Sequence, residues 1–313
     1  MLKKIICCSF ASLDGYNGSA NQKESQKSLN IYLMNAAVSC YSTKINNPNV
    51  DVAFIHNLKK IPSEFEGFFK KNNIKNIYLE FNKFKFSSDY KWSLAFYKLC
   101  VIKYLSFESN YDEIILLDTD TFILGSLDSV WEICKSSLML YNVQHSLELE
   151  AYKERLNEYY ELYDKKVYPA VWGGEFMAGS RIILQKFILE CENVYSKMIL
   201  KNFNTQFGDE FITFCAAENY DDRITDAAPY IRRYWTTNIY FQCFTDHELL
   251  LKILHVPNEK NNGFISIYKY ICKHNKLPNK RNVFKMLGLP RCKRPIYIRN
   301  IINFGYRILR RFL

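Results

Sequence analysis

The stretch from Ile114 to Gly125, IILLDTDTFILG, constrains this chain more than any other segment. Four consecutive apolar residues without polar alternation are typical of a short strand buried on both faces of a sheet. Asp118 and Asp120 follow where that strand ends, and ligands of open α/β sheets bind beyond the carboxyl ends of the strands. A polar turn is the ordinary alternative, since aspartate favours turns. Because apolar residues flank the acids on both sides, we predict that they are partly buried and hold a divalent cation.

The remainder of the 313-residue chain alternates strand and helix patterns. This alternation favours an α/β fold with a mixed central sheet flanked by helices. Strands are predicted over Lys3–Phe10, Val50–His56, Ile77–Phe81, Ile114–Leu117, Leu138–Asn142, Val171–Ser180 and Ile253–Val256. Helices are predicted over Leu29–Tyr41, Ile61–Asn72, Ser93–Phe107, Gln144–Asp164, Arg181–Lys197 and Gly208–Glu218. The charged helix over 144–164 is interpreted as a solvated surface helix, with a lid over a cleft as the alternative.

Positive charge is concentrated at the C-terminal end of the chain. The net charge is +10, yet residues 264–313 contain thirteen Lys and Arg and no acid, whereas residues 1–263 contain 29 basic and 32 acidic residues. We therefore predict an α/β domain over 1–263 and a basic aromatic tail over 264–313. The final segment, IYIRNIINFGYRILRRFL, is typical of an amphipathic helix lying on an anionic membrane. A helix packed on the domain is the alternative, and nucleic acid is the less favoured partner.

Cysteine usage and the absence of long apolar segments indicate the compartment. The ten cysteines contain no Cys-x-x-Cys pair, which favours a reducing cytoplasm. The N-terminal MLKKIICCSF is interpreted as a first strand rather than a signal peptide. No stretch approaches the twenty apolar residues of a spanning helix. We expect a cytoplasmic protein, peripheral on the inner face of the membrane if the tail binds there.

Three further segments carry candidate functional residues. Gly173 and Gly174, in VWGGEFMAGS, indicate a strand that passes close to a ligand where side chains would obstruct it. Asp209 and Glu210 open a predicted helix, where its N-terminal dipole favours acids. His255 stands on the last predicted strand, Ile253–Val256.

The run YDEIILLDTDTFILGSLDSVWEI resembles the Asp-x-Asp segment of family 8 glycosyltransferases, the glycogenin-like and lipopolysaccharide-sugar-transferring enzymes of GT-A fold. The resemblance implies that Asp118 and Asp120 hold Mn²⁺ or Mg²⁺ bridging the diphosphate of a sugar nucleotide, with Thr119 in the same donor-binding segment. His255, in KILHVPN, resembles the late histidine that completes such a metal site. Lys98 resembles a basic residue directed at the donor. The nucleoside contacts of the family correspond to Ser9, Ala11 and Tyr16.

The chain also departs from the family pattern. Gly173, Gly174 and Glu175 stand where family members often have Asn-Ser-Gly, and Gly208-Asp209-Glu210 replaces Gly-Asp-Gln. The glutamate is similar to that of family 6 glycosyltransferases, also GT-A enzymes, in which it lies beneath the sugar. The usual ending after the late histidine is absent, although Lys260 and Gly263 follow loosely.

The resemblance implies transfer of a hexose from a nucleotide-diphosphate sugar, with UDP as the expected nucleotide, to a hydroxyl of a glycan or lipid-linked acceptor. It further implies retention of anomeric configuration, with Glu210 as nucleophile or charge stabiliser and Asp209 bonded to sugar hydroxyls. Two alternatives remain open from the residues. Asp118-Thr119-Asp120-Thr121 also fits the nucleophile motif of haloacid-dehalogenase-like phosphatases, although its late position and a missing downstream acidic partner argue against them. The basic tail also permits a binding protein without catalysis.

Overall fold

The computed structural model describes residues 2–13, 26–87, 90, 92–143, 150–165, 170–236, 250–289 and 308. Its strands are β1 Lys4–Phe10, β2 Asp51–His56, β3 Lys75–Tyr78, β4 Glu113–Leu117, β5 Thr121–Ile123, β6 Leu138–Asn142, β7 Trp172–Ser180, β8 Ile224–Asp226, β9 Ile231–Arg233 and β10 Ile253–His255. Its helices are α1 Gln26–Asn46, α2 Ser63–Lys71, α3 Tyr97–Phe107, α4 Asp128–Cys134, α5 Glu150–Tyr163, α6 Arg181–Leu200, α7 Asp209–Glu218, α8 Gly263–His274 and α9 Lys280–Met286.

A seven-stranded sheet in the order β3-β2-β1-β4-β7-β6-β8 forms the centre of the described structure. β1 pairs in parallel with both β2 and β4, whereas β7 runs antiparallel to β4 and β6. Every residue of β4 is buried, as expected for an unalternating apolar strand in the middle of a sheet. The predicted mixed α/β fold is confirmed, and the two aspartates follow the carboxyl end of its central strand.

A second, three-stranded sheet in the order β5-β10-β9 adjoins the first. β5 begins directly after the acids, so the chain leaves the large sheet at β4 and enters the small one within four residues. β10 pairs antiparallel to β5, with Thr121 opposite His255, and parallel to β9, with Arg233 opposite His255. The backbone pairing of the small sheet therefore carries His255 to the acids.

Helices cover both faces of the large sheet. Alternate residues of β1 divide between two clusters: Ile5 and Cys7 pack with α3, α6 and α7, whereas Cys8 and Phe10 pack with α1, α2 and α8. A third cluster joins β4 to the small sheet and α4. Such side-to-side alternation is what a strand buried on two faces requires.

The helix α5 differs from its sequence-based interpretation as a solvated helix. Tyr152, Arg155, Tyr159 and Leu162 are buried on one side of it, three to four residues apart, which is the period of a helix face packed on a core. Its glutamates and Lys153 occupy the other positions. The helix is amphipathic, and its polar composition concealed a narrow buried stripe. Residues 144–149 of the predicted helix lie outside the described residues.

Other elements differ from prediction at their limits or were missed. The predicted strand over 77–81 is β3 at residues 75–78, and the predicted helix over 93–107 begins at Tyr97. β8 and β9 have three residues each and were not predicted, because so short a segment shows too few alternations to be recognised.

The first half of the predicted basic tail packs on the domain. α8 and α9 bury Phe264, Ile267, Ile271, Val283 and Phe284 in the cluster that contains α1. The remainder of the predicted tail, apart from residue 308, lies outside the described residues. The domain boundary at residue 263 stays a prediction. Within the described part of the chain, no helix combines the length and the apolar character needed to cross a membrane.

Candidate metal and donor site

Asp118, Asp120 and His255 meet at the junction of the two sheets. One ligand atom from each lies within 4.8 Å of the others. Nε2 of His255 is 3.3 Å from Oδ2 of Asp120 and 3.8 Å from Oδ2 of Asp118. The Asp118 side chain is 26% exposed, whereas those of Asp120 and His255 are nearly inaccessible. Asp120 and His255 therefore form the buried part of the cluster, and Asp118 faces solvent.

The residues fit a divalent cation. Octahedral ligands at about 2.1 Å from an ion stand about 3 Å apart, close to the observed separations around Nε2. Oδ2 of Asp120 is buried and has no hydrogen bond of acceptable geometry within the described structure, although Nζ of Lys260 makes an ion-pair contact with it at 2.9 Å. Such an oxygen retains lone pairs for an ion, and two carboxylates with an imidazole suit Mn²⁺ or Mg²⁺.

Glu175 orients the histidine from behind. Its Oε1 lies 3.2 Å from Nδ1 of His255, so a proton on Nδ1 directs Nε2 toward the acids, as carboxylate partners of metal-bound histidines do. Burial alone would lower the pKa of His255, but the negative charge of Asp120 and the contacts of the ring with Asp120 and Glu175 raise it to about 9. Without an ion, the ring is therefore protonated at neutral pH.

We expect metal binding to weaken as the pH falls from 8 to 6. Because the pKa of His255 is raised to about 9, an ion must displace one proton throughout this range, and affinity should drop roughly tenfold per pH unit. Burial favours the neutral acid of Asp120, yet Lys260 and His255 hold its pKa well below the usual range, so this carboxylate contributes no titration there.

Calorimetric titration with Mn²⁺ in buffers of different ionisation enthalpy measures this proton release. His255→Gln should remove the pH dependence together with most of the affinity, whereas His274→Gln, on the exposed end of α8, should keep both. An affinity that does not change between pH 6 and 8 would contradict the expectation.

Lys98 stands between two acids at the edge of the cluster. Its Nζ lies 3.0 Å from Asp118 and 2.9 Å from Asp209, and donates to the carbonyl oxygen of Gly174. Burial would lower the pKa of Lys98, but the two carboxylates hold it well above the usual range. Burial raises the pKa of Asp209 to about 6 in spite of Lys98. Lys98 is therefore a fixed cation beside the predicted metal site.

The two predicted glycines make room for protein side chains. A Cβ at Gly174 would collide with the Asp209 carboxylate and come within 2.8 Å of Nζ of Lys98. A Cβ at Gly173 would collide with Glu175 and come within 2.8 Å of Arg233. The sequence predicts that a ligand approaches this strand, whereas the groups that approach it in the structure are side chains of the chain itself, namely those of Lys98, Asp209, Glu175 and Arg233. Contact of either glycine with a donor stays a prediction.

Gly208 sets the direction of the helix that carries the two candidate catalytic acids. Its φ of +63° is accessible to glycine at little cost, and α7 begins at the next residue. Asp209 and Glu210 thus occupy the first turn, where the helix dipole stabilises carboxylates. The Glu210 carboxylate accepts hydrogen bonds from Arg155, Arg233 and the backbone N–H of Gly174. Burial would raise the pKa of Glu210, but the two arginines lower it, so the group is anionic.

One cleft of about 370 Å³ brings these groups together. It is lined by most of the predicted site residues, namely Ser9, Ala11, Lys98, Asp118, Thr119, Asp120, Asp209, Glu210 and His255. Ser9 lies in β1 and Ala11 directly follows it, and the carboxyl end of β1 lies beside that of β4. Tyr16 lies outside the described residues.

Three basic residues of the same cleft had no predicted role in the site: Arg155, Arg233 and Lys260. Arg155 was hidden in a charged helix, and Arg233 lies on a strand too short to be recognised. Lys260 had been noted only as a loose match to the family ending. One signal was available, since a chain that buries this many acids needs buried cations to pair with them.

The sheet order, with the acids at the end of its central strand, defines an α/β transferase fold of the GT-A class. The mouse xyloside xylosyltransferase 1 structure, in its apo form, shares this fold: the superposition has a TM-score of 0.51 and 11% sequence identity, and covers 81% of this chain and 97% of the mouse chain. Residues 16–182 match the profile of glycosyl transferase family 8. The chain belongs to this family and is a glycosyltransferase. No curated protein matches its sequence.

The family assignment decides between the alternatives left open by the sequence. It excludes a haloacid-dehalogenase-like phosphatase. The segment Asp118-Thr119-Asp120-Thr121 matches the motif of that class only because a strand ends here in two acids. The family assignment also excludes a protein that only binds through its basic tail. The resemblance drawn from the Asp-x-Asp segment is confirmed.

Proposed function

We propose that this glycosyltransferase is metal-dependent and moves a hexose from a UDP-sugar to a hydroxyl of a glycan or lipid-linked acceptor, with retention of anomeric configuration. The observation that carries the proposal is the convergence of two groups of residues on one cleft. Asp118, Asp120 and His255 form a ligand set for an ion, and Glu210 is an anionic carboxylate held at a helix start in the same cleft.

Each group has a role in the proposed reaction. Asp118, Asp120 and His255 would hold a divalent cation, which would supply positive charge to the diphosphate leaving group. Lys98 and Lys260, both already paired with the acids, add fixed positive charge at the same place. Asp209, beside Lys98, is placed to bond sugar hydroxyls.

Glu210 faces the anomeric carbon in this proposal. Either its negative charge stabilises an oxocarbenium-like transition state, or its carboxylate attacks the anomeric carbon as the bond to the nucleotide diphosphate breaks. In the second case the acceptor hydroxyl then displaces the carboxylate from that carbon and gives its proton to the released diphosphate. Both roles require an ionised carboxylate, and the pairing with Arg155 and Arg233 supplies it. The 21% exposure of the Glu210 side chain leaves part of the carboxylate accessible to a substrate.

A screen of nucleotide sugars tests the proposal. The protein with Mn²⁺ is incubated with UDP-, GDP- and CMP-linked sugars without acceptor, and release of the free nucleotide is followed. UDP-xylose belongs in the panel because the mouse structural neighbour is a xylosyltransferase. Hydrolysis of a UDP-hexose that EDTA abolishes and Mn²⁺ restores is the expected result. Metal-independent release, or a preference for another nucleotide, would overturn the proposal.

We also propose that the basic C-terminal segment contacts the cytoplasmic face of an anionic membrane, where a lipid-linked acceptor would lie. Replacing Arg307, Arg310 and Arg311 by glutamine should reduce binding to phosphatidylserine vesicles, since each basic residue near the surface contributes about 1 kcal/mol. Liposome flotation measures the fraction of protein bound to the vesicles. Exposed Lys60, Lys70 and Lys71, changed to glutamine together, serve as the matched control. Equal binding of both triple variants and the wild type would refute the membrane contact.

A further inference from the structure

The guanidinium of Arg233 connects the predicted metal site with the candidate catalytic carboxylate of Glu210. Arg233, on β9, donates from Nε to Oε1 of Glu175 at 2.7 Å and from Nη2 to Oε2 at 2.5 Å. The same Nη2 donates to Oε1 of Glu210 at 2.8 Å. This fork-to-carboxylate geometry fixes direction as well as distance, which a lysine cannot reproduce.

One end of this connection reaches the predicted metal site. Oε1 of Glu175 accepts from Nε of Arg233 and lies 3.2 Å from Nδ1 of His255. Arg233 and His255 are also opposite each other in the β9–β10 ladder, so backbone pairing and a shared carboxylate place them together. The Glu175 side chain is fully inaccessible, and water therefore cannot substitute for either partner.

The other end reaches the candidate catalytic carboxylate. Arg233 holds one oxygen of Glu210, and Arg155 donates to the other at 3.1 Å. Arg155 is itself buried over the ring of Phe207, and its Nε and Nη1 have no hydrogen-bond partner in the described part of the chain. Arg155 therefore holds Glu210 from one side only, whereas Arg233 joins it to the rest of the site.

We propose that Arg233 is a positioning residue that sets the Glu210 carboxylate and, through Glu175, the metal-binding ring of His255 in one fixed relation. The proposal rests on the proposed function for the role of Glu210, but its metal-binding half stands without it. Removing the guanidinium would leave two buried carboxylates without their shared partner and free both from their present orientation.

The test compares Arg233→Ala and Arg233→Lys with the wild type in two measurements, Mn²⁺ affinity by calorimetry without any nucleotide sugar and kcat for donor hydrolysis. Loss of a residue that orients metal ligands costs roughly 10- to 100-fold, and we expect a loss of that size in both quantities for Arg233→Ala. Millimolar guanidinium should restore part of each, which it would not do for a merely unfolded protein. Arg233→Lys keeps the charge without the fork and should retain the fold but not the full affinity or rate.

Matched variants separate the contact of Arg233 with Glu175 from its contact with Glu210. Arg232→Lys and Arg232→Ala, one residue earlier on β9, should leave both measurements unchanged. Glu175→Gln should weaken Mn²⁺ binding, and Arg233→Lys should add nothing further in that background. Glu210→Gln should lower kcat and leave Mn²⁺ affinity intact. Wild-type Mn²⁺ affinity in Arg233→Ala, or full activity and affinity in Arg233→Lys, would overturn the proposal. If no nucleotide sugar is turned over, the proposed function fails while the metal titrations still decide the positioning role.

Discussion

A protein carrying both Asp118→Asn and Asp120→Asn should lose metal-stimulated glycosyl transfer, with kcat/KM lower by roughly 10³-fold, the equivalent of several kcal/mol of charge stabilisation. Asparagine preserves the shape of each side chain but removes the negative charge that attracts a divalent cation. In Asp120 the change also leaves Lys260, 2.9 Å away, without its acid. Thermal unfolding should accompany the kinetic measurements, because loss of one partner of a buried ion pair destabilises the fold.

The single variants separate the loss of metal affinity from the loss of fold stability. Asp118 is partly exposed, and Lys98 keeps Asp209 as a partner, so Asp118→Asn should unfold near the wild-type temperature and lose activity chiefly through metal affinity. Asp222→Asn removes an exposed acid paired with Lys186 and should leave both metal dependence and turnover unchanged. Wild-type turnover in the double variant would refute the assignment of these acids as metal ligands.

Replacing Glu210 by glutamine should lower kcat by roughly 10²- to 10³-fold while donor affinity stays close to that of the wild type. The neutral amide can neither attack the anomeric carbon nor stabilise positive charge there. Because Arg155 and Arg233 both pair with this carboxylate, the variant also leaves two buried cations with a weaker partner. Steady-state rates of donor hydrolysis, together with calorimetric donor affinity, separate the chemical step from binding.

Glu218→Gln, at the other end of the same helix, provides the control and should retain the wild-type rate. A Glu210→Gln protein with an unchanged kcat would dispose of the catalytic role. A variant whose donor affinity falls as much as its rate would assign Glu210 to substrate binding instead of catalysis.

The large sheet was predictable because its central strands have an unusually clear signal. β1, β2 and β4 are runs of apolar residues buried on both faces, and a run of that kind has few other stable positions in a folded chain. The small sheet was not predictable as a unit. β5, β9 and β10 have three residues each, and β5 pairs with a strand more than a hundred residues later, a pairing that no local pattern contains.

The candidate site likewise contains some residues that the sequence indicates and others that it does not. Asp118, Asp120 and His255 stand at the ends of apolar strands, where the chain itself indicates a ligand position, and the structure brings them together. Arg155 and Arg233 have no such signature, because a buried arginine and an exposed one look alike in sequence. Only the acids they contact, Glu175 and Glu210, explain why two guanidinium groups are desolvated.

The turn between β4 and β5 joins strands of two different sheets within four residues. Asp118 follows from the large sheet, and His255 belongs to the small one. A cation held by both would therefore link the two sheets, and its binding free energy would add to the stability of their junction. We expect metal binding to stabilise this junction against unfolding, in addition to any part that the ion takes in the chemistry of the cleft.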